Sequence, residues 1–338
     1  MKIGLFTSVY FNNIGNGFID LGAEAALKSA LPKDASIIKI SQCANFAASM
    51  GKTFIIKENP IINWIWVHTM QKYAKRIHDK TYKTVNTLDV LSVPKLIELD
   101  YLIIPGCVLT VPFFTIYGKL LEDKVKRGCK LIFLGASGNF YTKYEASVVS
   151  DYLKKLKPLA IMTRDSMAYK LYSSYTQYSY NGIDNVFFVN LLNIPKLITE
   201  PKSYVVVNIE EPKHKKIKNL LVQKLKKEGK NIIFTNHKPF PYSKLSKLVK
   251  EGTIVSDYPL DYLVLYNNAD AIYSDRVHAC IPTLSFGNPA TLYSDSPRKA
   301  LFENVGVKTI DENPMKIERL DELQNEQISF LREILEKN

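Results

Sequence analysis

Two side chains that could carry out chemistry lie close together in the second half of the chain. Arg276 and His278 are two residues apart, in a polar segment between an apolar run that ends at Ser274 and a second apolar stretch. Because this spacing points both side chains the same way only on extended backbone, it indicates a loop that leaves a strand. A guanidinium binds phosphate or carboxylate, and an imidazole gives or takes a proton near neutral pH. The pair therefore indicates proton-coupled transfer on an anionic substrate.

The same two residues also allow a purely structural interpretation. Arg276 could form an ion pair with Asp275 or Asp270, and His278 could be a histidine that is satisfied within the core. Spacing alone does not decide between the two interpretations, so both stay open at this point.

The remaining histidines show no convincing partner pattern. His214 opens a Lys-rich stretch with helical periodicity. His237 follows a predicted strand, and although it could line a cleft, a solvated loop is the expected setting for it.

A second arginine lies at a comparable point in the first half of the chain. Arg164 follows the predicted strand Leu159–Met162 and precedes a stretch with helical periodicity. Arg is scarce among the basic residues, and its planar, forked donor group fits carboxylate or phosphate. Arg164 is therefore a candidate anion ligand at the edge of a sheet. The alternative is a local ion pair on the surface, which would contribute only about 0–1 kcal/mol.

Two glycine-containing loops are candidates for contact with a ligand. The first runs from Asn13 through Asn16 to Asp20 and leads into a helix, whose N-terminal N–H groups can bind an anion. It is not a dinucleotide-binding motif, because Asp20 stands where G-x-G-x-x-G requires its third glycine. It could equally be an ordinary turn with an Asn or Asp cap. The second loop contains Gly106, which allows close approach of a ligand to the backbone.

Short apolar runs alternate with longer stretches of helical periodicity along the chain, which is typical of a parallel sheet with helices on both faces. The predicted strands are Lys2–Phe6, Ser36–Ile40, Tyr101–Ile104, Lys130–Leu134, Leu159–Met162, Tyr204–Asn208, Asn231–Thr235, Thr253–Val255, Ala271–Ser274 and Ala290–Tyr293. The predicted helices are Ile19–Ser29, Trp64–Lys80, Phe113–Lys126, Tyr144–Lys157, Asp165–Tyr172, Lys213–Glu228, Tyr242–Lys250, Leu260–Asn267, His278–Phe286 and Arg298–Asn304.

A break in this alternation near Asn193–Lys196 divides the chain. We predict an α/β protein with one Rossmann-like domain over residues 1–195 and a second over residues 196–312. Residues 313–338 have apolar side chains at helical spacing and are predicted to form a terminal amphipathic helix. Ligands bind beyond the carboxyl ends of the strands in such sheets. The functional loops are therefore expected to line a cleft between two doubly wound domains.

The composition indicates a folded protein with an anionic partner. The chain has 338 residues, of which 46% are hydrophobic, and a net charge of +12, which argues against one small module and against disorder. The four cysteines form no C-x-x-C pair, which favours free thiols in a reducing cytosol over disulfides or a zinc site. No apolar stretch is long enough to span a membrane, and no signal peptide is recognised. We expect a cytoplasmic protein.

The ordered set of motifs resembles the polysaccharide pyruvyl transferase family. The segments that carry the resemblance are Asn13 to Asp20 with Gly22, Asp100 to Gly106, Thr163 to Ser166, Gly182 to Asp184, Ser274 to His278, and Gly287 to Pro289. Each motif is short, so the resemblance depends on their order and spacing over most of the chain. It implies two Rossmann-like domains in the GT-B-like arrangement of inverting glycosyltransferases.

The resemblance also implies an activity and a site. A pyruvyl group would move from phosphoenolpyruvate onto two hydroxyls of a glycan or lipid-linked glycan as a ketal, in polysaccharide biosynthesis for the cell envelope. Arg164, Arg276 and His278 would bind phosphoenolpyruvate on the side of the C-terminal domain, with Arg276 and His278 catalytic. The residues nearer the acceptor, on the side of the N-terminal domain, would be Asn13, Asn16, Asp20 and Gly106. The donor substrate is the only small molecule required, without a further cofactor or a metal.

Two other classes of function stay open. A GT-B glycosyltransferase that uses a nucleotide sugar would have the same architecture, a basic cleft and a histidine base. A non-catalytic protein could bind acidic glycan or nucleic acid through its many lysines, although the resemblance implies no nucleic-acid partner. The Lys-rich surface would also allow peripheral association with a membrane. No oligomeric state is predicted.

Overall fold

The computed structural model of the protein describes residues 1–7, 13–32, 35–41, 96–237, 242–294, 297–307, 310–311 and 313–337. The predicted helix Trp64–Lys80 lies outside these residues. Strands and helices alternate through the described part of the chain, as the periodicity predicts. No helix among the described residues is long and apolar enough to cross a membrane.

The described strands form two parallel sheets. The first contains β1 (Lys2–Thr7), β2 (Ser36–Ser41), β3 (Tyr101–Pro105), β4 (Lys130–Ala136), β5 (Ala160–Thr163) and β6 (Tyr178–Asn181). The second contains β7 (Val205–Asn208), β8 (Ile232–Thr235), β9 (Thr253–Ile254), β10 (Ala271–Ser274) and β11 (Ala290–Leu292). Their spatial orders are β2-β1-β3-β4-β5-β6 and β11-β10-β7-β8-β9. In each sheet the chain reverses its direction of progression once, which makes the sheet doubly wound.

Helices connect most of these strands. The α-helices are α1 (Ile14–Ala30), α2 (Val111–Lys126), α3 (Lys143–Leu156), α4 (Ser166–Tyr172), α5 (Lys215–Lys227), α6 (Tyr242–Lys250), α7 (Pro259–Asn268), α8 (Val277–Ser285) and α9 (Leu320–Lys337). The 3-10 helices are Ser173–Tyr175, Asn185–Leu192, Pro212–His214 and Pro297–Val305.

Buried apolar side chains on the central strands form the core of each sheet. Every residue of β3 and of β7 is buried, as is expected for parallel strands that are covered on both faces. On the first sheet, the ring of Phe114 in α2 packs against Phe133 in β4 with centroids 6.1 Å apart.

Each predicted strand is present. The differences from prediction include the ends of elements, one extra strand and the type of one helix. The edge strand β6 was not expected, because its sequence Tyr-Ser-Tyr-Asn lacks an apolar run. Helix α1 begins at Ile14 rather than at Ile19, since the side chain of Asn13 caps it by accepting the N–H of Gly15 at 3.2 Å. The predicted helix Arg298–Asn304 is a 3-10 helix.

The described residues form two compact units. Those within 1–8, 32–182 and 337–338 form one unit, and those within 9–31 and 183–336 form the other. This division differs from the predicted boundary at residue 195, because α1 and the 3-10 helix Asn185–Leu192 belong with the second sheet. The terminal helix α9 joins the same unit, where the side chain of Gln327 accepts the N–H of Ile183 at 2.8 Å.

A glycine lets α1 approach the 3-10 helix Asn185–Leu192 closely. A Cβ atom added to Gly22 would overlap the carbonyl oxygen of Asn185. This oxygen is part of the backbone and cannot turn away as a side chain could. The position therefore requires glycine for packing, although a helix interior otherwise favours alanine.

We expect the substitution Gly22→Ala to lower the free energy of unfolding by about 2–3 kcal/mol, because overpacking against fixed backbone costs this much. At an open helical position the same change would instead stabilise the protein by up to about 1 kcal/mol. Chemical denaturation measures the difference, and Lys28→Ala, on the exposed side of the same helix, serves as the control. A Gly22→Ala protein as stable as the wild type would contradict the close approach.

Candidate active site

Strands β7 and β10 are neighbours in the second sheet, and they end side by side. Asn208 at the end of β7 is in register with Ser274 at the end of β10. The chain's progression across the sheet reverses between these two strands, which is the point where open α/β sheets bind ligands. The hydroxyl of Ser274 donates to the Asn208 carbonyl at 2.9 Å and accepts the N–H of Arg276 at 2.8 Å. The loops that follow the two strands are thereby held together.

Arg276 is the N-cap residue of α8 and has extended backbone, with φ −112° and ψ 117°. Its side chain is 26% exposed, with Nε 3.9 Å from Glu210 Oε2 and Nη1 4.0 Å from Glu211 Oε1. Both separations exceed hydrogen-bond length. The carboxylates near the guanidinium are thus those of Glu210 and Glu211, whereas Asp275, one of the partners considered from the sequence, binds the backbone N–H groups of both glutamates.

His278 lies in the first turn of α8, and its imidazole lies beside Asp184 and Gly15. Nε2 is 3.5 Å from Oδ2 of Asp184, whose carboxylate is fully buried. Oδ1 of Asp184 accepts the N–H of Val186 at 2.8 Å, which holds the carboxylate in place. Gly15 lies so close that an added Cβ would be 2.9 Å from His278 Nδ1. A buried carboxylate in this position favours one orientation of the imidazole, as a proton-transfer residue requires.

A cavity of about 360 Å³ opens beside these residues and contains Arg276 and His278 in its wall. The residues that line it, which belong to the unit of the second sheet, are Asn13, Gly15, Glu211, Lys213, His214, His237, Asp275, Arg276, Val277, His278, Ser294 and Arg298. Three Lys or Arg side chains and three histidines outnumber two carboxylates in this set. The cavity therefore favours a small anionic ligand.

The imidazole of His214 lines the same cavity. Its Nδ1 is 3.1 Å from Oδ2 of Asp275, whose side chain is fully buried. The same carboxylate accepts the N–H of Glu211 at 2.7 Å and the N–H of Glu210 at 3.0 Å from Oδ2. Asp275 therefore ties the loop after β10 to the loop after β7 and fixes the orientation of His214.

His237 is buried, so the prediction of a solvated loop is wrong for this residue. It is 2% exposed. Its Nε2 is within hydrogen-bond distance of the Tyr266 hydroxyl, and its ring packs edge-on against Tyr262 at 4.8 Å. Burial above all, and then the charges of Arg276 and His278, lower the pKa of His237 well below its ordinary value of 6.5. His237 is therefore a neutral part of the cavity wall at neutral pH.

This lowered pKa makes the stability of the protein depend on pH in a defined direction. Below pH 6.5 the unfolded chain binds a proton at His237 and the folded protein does not, so stability falls as the pH falls. The loss is at most about 1.4 kcal/mol per pH unit. We expect His237→Gln to reduce the pH dependence of the free energy of unfolding, measured by urea denaturation between about pH 5 and 7. A variant with the wild-type pH dependence would show that His237 is not held neutral.

One of the candidate ligand-contact residues at the start of α1 lines the cavity. Asn13 lines the cavity with Arg276 and His278, and its side-chain N–H donates to Asn16 Oδ1 at 3.3 Å. Asp20 lies further along α1, is 4% exposed, and is not among the described residues that line the cavity.

Arg164 and Gly106 belong to the other compact unit. Arg164 follows β5, is 1% exposed, and donates from Nε to the Ser137 hydroxyl at 3.0 Å. Gly106 follows β3 with a φ of 89°, a conformation that favours glycine, and its carbonyl accepts the N–H of Ser137 at 3.2 Å. The loops after β3, β4 and β5 thus meet at the carboxyl end of the first sheet. That Arg164 binds the same ligand as Arg276 stays a prediction.

Several acidic or basic residues near the cavity have no role assigned from the sequence, among them Asp184, Glu211 and His214. Asp184 follows β6, which its sequence does not reveal as a strand. Glu211 and His214 follow β7, a strand that is predicted, so a search of every loop beyond a strand end would have found them. Glu211 and His214 contact Asp275 across about 60 residues of sequence. A local sequence pattern does not predict contacts over such a separation.

Within the part of the chain that the structure describes, no group of three or more His, Cys, Asp or Glu side chains is arranged to hold a metal ion. The expectation that the reaction needs no metal stays a prediction.

Comparison with known families gives one match. The sequence model of the polysaccharide pyruvyl transferase family matches residues 13–297. This range includes the described cavity residues from Asn13 to Ser294 and leaves out Arg298. No curated protein matches the chain.

Several solved structures are similar to the chain in fold. UDP-GlcNAc 2-epimerase from Neisseria meningitidis bound to UDP-GlcNAc has a TM-score of 0.53 at 13% identity, covering 99% of this chain and 99% of that chain. UDP-GlcNAc 2-epimerase from Methanocaldococcus jannaschii has a TM-score of 0.51 at 11% identity, covering 100% of both chains. S. aureus MnaA with UDP has a TM-score of 0.52 at 12% identity, covering 100% of this chain and 88% of that chain. These likenesses confirm the predicted fold class, two Rossmann-like doubly wound domains of the GT-B-like kind, and at this identity they show the fold alone.

Proposed function

Since the chain belongs to the polysaccharide pyruvyl transferase family, we propose that it transfers the pyruvyl group of phosphoenolpyruvate to two hydroxyls of a glycan or glycan precursor as a ketal. The observation that carries this proposal is the cavity shared by Arg276 and His278, with Asp184 buried 3.5 Å from the imidazole. An anion ligand and a proton donor thus face one space of a size suited to a small, doubly charged molecule.

Ketal formation from phosphoenolpyruvate requires a proton at the enol methylene carbon. Protonation of this carbon makes the adjacent C2 electrophilic, and a sugar hydroxyl then adds to C2. His278 gives this proton, and the buried carboxylate of Asp184 beside it keeps the ring oriented. Proton transfer from a positioned side chain accelerates such a step by about 10²–10⁴.

Arg276 binds the carboxylate or the phosphate of the donor. Each charge-assisted hydrogen bond from its guanidinium contributes about 1.5–3 kcal/mol. Glu210 and Glu211 lie about 4 Å away and direct the guanidinium without hydrogen-bond contact. Lys213 and Arg298 line the same cavity and add positive charge for the second anionic group of the donor.

The other assignments are extensions of this proposal. Arg164 is a second anion ligand for the donor, and Asn13, at the cavity wall, contacts the donor or the hydroxyl that attacks it. Acceptor roles for Asn16, Asp20 and Gly106, a cytoplasmic location, a lipid-linked acceptor for the cell envelope and peripheral membrane association through the Lys-rich surface stay predictions.

The direct test incubates the protein with phosphoenolpyruvate and a panel of methyl glycosides that carry free 4,6- or 3,4-diols. We expect phosphate release that requires both substrates, together with a new ketal methyl singlet in the proton NMR spectrum. UDP-sugars are supplied in a parallel reaction as the alternative donor. Transfer from a UDP-sugar without any reaction of phosphoenolpyruvate would overturn the proposal in favour of a glycosyltransferase.

A further inference from the structure

We propose that His214 is a second proton-transfer residue of this cavity and that it protonates the departing phosphate. The inference rests on the proposed function and concerns a residue that the sequence motifs leave without a role. Its basis is that two imidazoles line one cavity and that each is next to a fully buried carboxylate, His278 beside Asp184 and His214 beside Asp275.

The geometry fixes which nitrogen of His214 can act. Nδ1 is 3.1 Å from Asp275 Oδ2, so Nε2 is the nitrogen that takes no part in this contact. The backbone N–H groups of Glu210 and Glu211 bind the same carboxylate. They hold it in place, so it does not move if the imidazole ring rotates. The side chain of His214 is 8% exposed and lines the basic cavity, so we assign Nε2 as the nitrogen that acts on the ligand.

The third imidazole of the cavity is not equipped for this role. His237 contacts the hydroxyl of Tyr266, and burial lowers its pKa well below the ordinary value, so it carries no proton to give at neutral pH. His214 differs because its Nδ1 contacts a buried carboxylate, so Nε2 is the nitrogen that this contact leaves for the ligand. Lys213 and Arg298, in the same wall, attract a phosphate rather than a neutral sugar hydroxyl.

The reaction requires two proton donations, and they fall in different steps. In the first step the methylene carbon gains a proton from His278, and the first hydroxyl oxygen forms a bond to C2 and releases its proton, which returns to His278. In the second step the bond between C2 and the phosphate oxygen breaks, and its electron pair stays on that oxygen, which takes a proton from His214. The second hydroxyl oxygen then bonds to C2 and gives its proton to His214. In total, the two sugar hydroxyls release two protons. These balance the proton that the methylene carbon gains and the proton that the phosphate gains.

The experiment separates the two steps with deuterium. In D₂O, reversible protonation of the methylene carbon places deuterium in recovered phosphoenolpyruvate, whereas inorganic phosphate reports the second step. The acceptors are the methyl glycosides that react with the wild type. His214→Asn is the test variant, because the Asn amide can keep the contact with Asp275 but cannot donate a proton as an acid. Lys215→Gln, at the exposed neighbouring position, is the control.

We expect His214→Asn to release phosphate about 10²–10⁴-fold more slowly while deuterium still enters phosphoenolpyruvate at a rate within a few-fold of wild type. His278→Gln should lose both signals. If His214→Asn does not fold, His214→Ala is assayed with added imidazole, and recovery of phosphate release supports the inference. The inference would be overturned if His214→Asn released phosphate at the wild-type rate, or if it lost phosphate release and deuterium incorporation equally. Failure of imidazole to restore phosphate release in His214→Ala would also overturn it. A wild type that shows neither signal with any acceptor would instead refute the proposed function, and the inference with it.

Discussion

Replacement of His278 by Gln is expected to lower kcat for ketal formation by about 10²–10⁴-fold in a protein that stays folded. The Gln amide can occupy the position of Nε2 beside Asp184, but it cannot give a proton to the methylene carbon. Gln keeps a polar group beside the buried Asp184 carboxylate, so the protein is expected to stay folded. The readouts are phosphate release under saturating substrates and thermal unfolding followed by circular dichroism.

Two further variants make the His278 result interpretable. Asp184→Asn keeps the shape of the buried side chain and removes its charge, so we expect a smaller loss of kcat together with an altered pH profile. Lys215→Gln, an exposed position outside the cavity residues, should leave kcat unchanged. A folded His278→Gln protein that forms ketal at the wild-type rate would show that proton transfer to carbon uses another group.

Replacement of Arg276 by Ala is expected to lower kcat/KM for phosphoenolpyruvate by roughly 10–150-fold, the equivalent of one charge-assisted hydrogen bond of about 1.5–3 kcal/mol. Arg276→Lys keeps the charge and loses the planar fork, so it should recover part of the loss and no more. Initial rates over a range of donor concentrations measure the effect, and calorimetric titration with phosphoenolpyruvate gives the affinity.

Arg319 provides the matched control for Arg276. Its guanidinium is 72% exposed and pairs with Glu322 at 2.6 Å, so Arg319→Ala should leave both kcat/KM and the donor affinity unchanged. If Arg276→Ala binds the donor as tightly as Arg319→Ala does, the guanidinium in the cavity is not a donor ligand.

The position of Arg276 and His278 was predictable because local rules determine it. The short apolar run Ala271–Ser274 predicts a strand within an alternating α/β pattern, and the polar segment after such a strand leaves the sheet at its carboxyl end. The spacing of two residues then requires extended backbone at the first position, which the N-cap conformation of Arg276 provides. The strands and their parallel direction follow from the same alternation of strand and helix along the chain.

The partners of these residues were not predictable, because they depend on tertiary contacts. Asp184 reaches His278 across a separation of more than 90 positions in the sequence, from a segment next to an edge strand without an apolar run. Helix α1 follows the first strand of the first sheet and yet packs in the unit of the second sheet, which no periodicity reports. His237 is flanked by polar residues and looks solvated in sequence, but Tyr262 and Tyr266 from α7 cover it.

The most direct test of the account is a crystal structure of the protein with phosphoenolpyruvate. The account predicts that the donor occupies the cavity of the second sheet, with a carboxylate or phosphate oxygen within hydrogen-bond distance of the Arg276 guanidinium and the methylene carbon next to His278. Phosphoenolpyruvate bound at a different surface, or a UDP-sugar in this cavity that the donor does not displace, would contradict it.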